Sequence, residues 1–166
     1  MFIAHLPAGY LLGKAASRHL NLKTKQLIVW ASVGSILPDA DMFYFYLLDN
    51  QSTHHRHYLS HWPITWITLL AFSVILSRWR PRLGVTSLGL SIGGLSHMVL
   101  DTLAAPILWL APFSKLQVEL VKIPAIYENY IWSFVLHWTF AIEILICSIA
   151  IVIFWANKTP KHQRQM

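Results

Sequence analysis

Four of the chain's nine histidines fall within eight positions, in the stretch HHRHYLSHWP that runs from His54 to Pro63. Imidazole is the side chain proteins use most often to hold a metal, so the loop reads as half of a site. The other half must supply negative charge. Two segments offer it: LPDAD carries Asp39 and Asp41, and SHMVLD carries His97 and Asp101. Residues four apart share a face of a helix, so His97 and Asp101 point the same way. Pro38 interrupts a helix beside Asp39, which frees backbone and turns both carboxylates inward. His5 approaches from the N-terminal segment. Carboxylates and neutral imidazoles around one divalent cation would suit zinc best, with manganese or iron as the other fits.

What positions these groups follows from composition. The chain has 166 residues, 55% hydrophobic and 12% charged, with mean hydropathy +0.49. A soluble domain carries about 25% charged residues. Eight Trp, six Tyr and eight Phe suit a protein that straddles a lipid–water boundary. The class is therefore an all-α polytopic membrane bundle. It forms one domain over residues 1–156, followed by a polar tail at 157–166. Four segments, 27–48, 62–79, 84–104 and 131–156, have the roughly 17–20 apolar residues a span needs. A shorter apolar helix at 2–16 lacks a basic leader and reads as retained. Pro106 and Pro112 break APILWLAPF into an irregular extension of the third span.

The net charge of +6 does not imply nucleic acid, because the cations are dispersed in short connections. Lys14, Arg18, Lys23, Lys25, Arg78, Arg80, Arg82, Lys158, Lys161 and Arg164 alternate with Arg56, Lys115 and Lys122. That ten-to-three split places the histidine loop on the extracytoplasmic side. Cys147 is the only cysteine, so no intrachain disulfide forms.

Depth brings the polar groups together. At about 1.5 Å per residue, Asp39 and Asp41 lie roughly 18–21 Å from the cytoplasmic end of their span. His97 and Asp101 lie roughly 20–25 Å from theirs, and His137 descends about 9 Å from the outer side. All reach one layer of a core about 30 Å thick. Ionisable residues at such depth are functional by default. The plainer alternatives are a solvated histidine loop, a structural His97–Asp101 pair, and interhelical hydrogen bonding by His137 and Glu143. The FYFY run at 43–46 and the tryptophans belong to the interfacial belt. His19 and His162 sit in basic flanks.

The order AHLPAG, LPDAD, histidine-rich loop and GGLSHMVLDTLAAP resembles the YdjM-type family of inner-membrane-associated, metal-dependent hydrolases. The resemblance covers residues 1–112. The histidine loop departs from the family pattern by one residue, so His55, His57 and His61 are alternatives for its positions. The same order is similar to zinc-dependent phospholipase C and nuclease, where an Asp is followed about fourteen residues on by His, as Asp41 is by His55. These resemblances imply His5, Asp41, His55, His61, His97 and Asp101 as ligands to one or two ions. A His-x-x-x-Glu for a third ion is missing, since His137 and Glu143 are six apart. Asp39 would orient the attacking water or a ligand histidine, and Arg56 would clamp a phosphate oxygen.

The expected function is metal-dependent hydrolysis of an ester, foremost a phosphoester in a lipid-linked substrate, in the inner membrane. Two other classes compete. A metal or proton transporter needs polar groups through both halves of the bilayer, and the cytoplasmic halves here are apolar. A non-catalytic adaptor would use the metal only to staple helices, with no open coordination position.

Overall fold

Proline cuts these apolar segments and glycine lets them pack. The structure, a computed structural model, describes residues 3–20, 22, 24–49 and 55–158. Its helices are α1 (His5–His19), α2 (Thr24–Ile36), α3 (Asp41–Leu47), α4 (Pro63–Trp79), α5 (Pro81–Thr102), α6 (Tyr130–Val135) and α7 (Trp138–Lys158). Single 3-10 turns occupy Pro38–Ala40, His55–His57 and Leu59–His61. Among the described residues there is no strand, only a bridge between Ile107 and Val118.

The all-helical architecture agrees with the sequence; the count of spans is corrected. Among the described residues, two helices are long and apolar enough to cross a bilayer, α5 and α7. The expected span 27–48 is divided at Pro38, which has no N–H to continue the ladder. It leaves α2 with 13 residues and α3 with 7. The 17 residues of α4 rise about 25 Å, short of a core about 30 Å thick. The expected span 131–156 is divided at His137. There Nδ1 accepts from the Thr139 N–H at 3.4 Å and meets its hydroxyl at 3.0 Å. A side chain satisfying an N-terminal N–H is what starts a helix, so α7 begins afresh at Trp138.

Helix α2 lies between α1 and α5, α4 packs along α5, and α7 rests against α1. Small residues allow this, as they do wherever membrane helices pack closely. A Cβ on Gly34 would enter the Leu90 backbone, and one on Gly93 would overlap the Ala31 carbonyl and lie 2.5 Å from the Ser35 nitrogen. This approach carries His97, one turn beyond Gly93, onto α2. Gly93→Ala is expected to cost at least the about 1–3 kcal/mol of an overpacked core. In detergent that reads as a melting temperature lower by roughly 2–12 °C. An unchanged melting temperature would show that the two backbones sit farther apart.

Beyond α5 the chain is irregular from 103 to 129. The Trp109 indole donates to Thr102 Oγ1 at 2.8 Å, and the Leu120 and Val121 amides donate to the carbonyls of Thr102 and Leu103. Trp66, Met98 and Ile107 bury together under this segment. The C-terminal end of α5, which carries Asp101, is thereby held. Helix α7 turns Ile144, Leu145, Ile151, Val152 and Trp155 outward, which suits lipid better than water.

Candidate metal centre

Five separate segments deliver polar side chains to one buried place. His5 opens α1, Asp39 and Asp41 follow Pro38, and His61 ends the turn before α4. His97 and Asp101 lie one turn apart on α5. Arg56 enters from the turn His55–His57.

The break at Pro38 also sets the tautomer of His97. A helix leaves its last carbonyls without intrahelical partners, and that of Ser35, near the end of α2, accepts from His97 Nδ1 at 2.8 Å. A carbonyl can only accept, so Nδ1 carries the proton and Nε2 keeps its lone pair. That Nε2 is buried, makes no hydrogen bond, and faces Asp39 Oδ1 at 3.5 Å and Asp101 Oδ2 at 3.8 Å. His5 stacks on His97 with ring centres 3.8 Å apart and places Nε2 3.2 Å from Asp101 Oδ1. His61 places Nε2 3.7 Å from Asp39 Oδ1.

Behind His61 stands Asp41. Its Oδ2 accepts from His61 Nδ1 at 2.7 Å and from the Ser60 hydroxyl at 2.5 Å. Burial alone would lower the His61 pKa, but the carboxylates of Asp39 and Asp41 outweigh it and hold the imidazole above its usual value. Arg56 Nε lies 3.5 Å from Asp101 Oδ2. The loop is moored by Tyr58, whose hydroxyl donates to Asp49 at 2.6 Å.

Two overlapping triads result, each with ligand atoms within 4.8 Å of one another: His5, His97 and Asp101, then Asp39, His61 and His97. Ligands about 2.0–2.1 Å from a tetrahedral ion stand roughly 3.3 Å apart. The observed separations of 3.2–3.8 Å are close to that. Three carboxylates gather around these imidazoles, with the Arg56 guanidinium against that of Asp101. Each triad could hold a metal ion.

The family model of the YdjM inner membrane protein matches residues 1–161. The chain belongs to the YdjM inner membrane protein family. No curated protein and no solved structure matches it. The YdjM description gives a location and no reaction; the two apolar helices of this member agree with the location.

Of the residues expected at the site, the structure gathers His5, Asp39, His61, His97 and Asp101, with Asp41 behind His61 and Arg56 against Asp101. The carboxylate standing with His61 and His97 is that of Asp39. His54 and the side chain of His55 lie outside the described residues, as does His162. His57 is exposed and 3.4 Å from Gln117 Nε2. His137 belongs to neither triad. Glu143, fully buried, accepts from the amides of Ile3 at 2.6 Å and Ala4 at 3.1 Å, and so caps the start of α1 just before His5. Sequence spacing does not mark Ser35, Ser60 or Glu143 as neighbours of the site. Only Glu143 carried a signal, a carboxylate inside an apolar run needing a donor.

Proposed function

We propose that this protein is a metal-dependent hydrolase acting on an ester, foremost a phosphoester, at the outer side of the inner membrane. One observation carries it: the buried Nε2 of His97, its other nitrogen committed to Ser35, facing two carboxylates with no hydrogen bond. An imidazole oriented through its second nitrogen is the common form of a metal-ligating histidine. His61, Asp39 and His97 would hold the ion, with Asp101 and His5 completing or flanking the shell, and zinc is the best match. His97 has one lone pair to give, which favours one ion over two.

A bound dication would polarise the scissile group and bring the pKa of a water toward about 7. In hydrolysis the water oxygen bonds to phosphorus as the phosphorus–alkoxide bond breaks, and the water's proton ends on the departing alkoxide. Asp39 alone among the cluster's carboxylates is substantially exposed, so the water would be oriented there and its proton relayed through that carboxylate. Asp41 would keep His61 in place. Arg56, partly exposed and paired with Asp101, supplies positive charge for a phosphoryl oxygen.

The test is metal analysis of protein purified without added chelator, followed by a phosphoester panel with and without zinc. Bound metal and chelator-sensitive turnover are expected. Bound metal with no turnover of any ester would favour the stapling role, which the burial of most of the cluster also suits. Orientation is checked separately by reporter fusions at Asn50 and at the C-terminus. The first should report from outside the cytoplasm and the second from inside; a cytoplasmic signal at Asn50 would reverse the topology.

A further inference from the structure

Among the described residues the side chains of the cluster are buried except those of Asp39 and, in part, Arg56. The side chains of His5, His61, His97 and Asp101 are at most 4% exposed, whereas that of Asp39 is 45% exposed. What borders Asp39 is not a polar channel. It is a crevice of about 320 Å³ whose other lining residues are Val33, Ile36, Leu37, Ala40 and Phe43, all apolar. It lies where α2 stops and the turn Pro38–Ala40 leads into α3. Ile36, Leu37 and Phe43 are themselves exposed, so in a membrane the crevice faces hydrocarbon. A larger cavity of about 450 Å³, with Lys115, Gln117 and His57 in its wall, includes no member of either triad. Of these two, the apolar crevice is the one that reaches the cluster, through Asp39.

We propose that the crevice at residues 33–43 is the subsite for the apolar tail of a membrane amphiphile, whose ester head meets Asp39 and Arg56. This deepens the hydrolase assignment and rests on it. Three features select such an occupant. The crevice is continuous with a cluster that would hold a cation, so the head must be polar or anionic. Its lining side chains other than Asp39 are all apolar, so what leads the head in must be hydrocarbon. Its volume lies at the small end of ligand pockets, about 300 Å³, enough for part of one chain and not a whole lipid. A water-soluble phosphoester would gain nothing from this surface.

Photolabelling tests this independently of turnover. Zinc-loaded protein is placed in nanodiscs of phosphatidylglycerol and phosphatidylethanolamine with a trace of phosphatidylglycerol carrying an acyl-chain diazirine near the glycerol. Labelled peptides are then mapped and metal content is measured on the same sample. Labels on residues 33–43 should exceed those on the outward face of α7. That excess should fall to the α7 level in Ala40→Phe, which fills the crevice from an exposed position. Phe43→Ala, which removes one wall, should also reduce it and serves if Ala40→Phe does not fold. Equal labelling of both regions in metal-bearing protein, or an excess that survives both substitutions, would overturn the subsite and leave the metal centre standing. Wild-type protein unable to hold zinc would overturn the hydrolase assignment, while the labelling still decides whether a tail is held.

Discussion

Purified His97→Ala protein is expected to carry no metal under conditions where the wild type holds one ion per chain. His97 is common to both triads, so no arrangement of the cluster survives its removal. Zinc bound by about four protein ligands is worth roughly 10–16 kcal/mol, or about 2.5–4 per ligand, a loss of roughly 100- to 1,000-fold in affinity. Alanine also removes a ring stacked on His5, so lost packing could mimic lost ligation. His97→Phe separates the two, since it keeps an aromatic ring and has no nitrogen. Both variants should fail to bind, measured by metal analysis and chelator competition. His19→Ala, at an exposed position on the last turn of α1, should bind as the wild type does. Full stoichiometry in both His97 variants would eliminate the site as drawn.

Residue type and helical period made part of this centre legible. His97 and Asp101 share a face because four residues make about one turn, and the structure keeps them 3.8 Å apart. Pro38 announced a break beside two carboxylates, and a break is there. What spacing could not decide was which carboxylate faces which histidine. Asp39 and Asp41 lie in and just after a three-residue turn, where the rise and rotation per residue differ from those of an α-helix. The group that His97 Nδ1 donates to and the two amides that donate to Glu143 were hidden for another reason: they are backbone groups, of Ser35, Ile3 and Ala4, and backbone has no residue signature. Counting apolar residues likewise could not detect that His137 would begin a new helix, since Ile131 to Ala156 is apolar on both sides of it. An all-helical chain and the family were within reach; the division of two expected spans and the second layer around the ligands were not.

Asp39→Asn is expected to weaken metal binding more than Asp41→Asn, and the order of the two decides the roles. Asp39 Oδ1 lies 3.5 Å from His97 Nε2 and 3.7 Å from His61 Nε2, the side of each ring on which an ion would sit. Its amide would lose a charged ligand, on the order of 100- to 1,000-fold in affinity by the same per-ligand division. Asp41 instead meets His61 from the opposite nitrogen. An asparagine there can still accept from Nδ1, so the loss should be the roughly 10- to 100-fold of an orienting partner. The reverse order would make Asp41 the ligand, as its fourteen-residue distance from His55 suggests. Saturating zinc then separates chemistry from binding. Reloaded Asp41→Asn should regain most of its turnover, because His61 is again held by the ion. Reloaded Asp39→Asn should not, because the one open carboxylate of the cluster is gone and with it the group that meets the water. If the ion only staples helices, zinc would restore the melting temperature of both variants and neither would differ from a wild type that hydrolyses nothing.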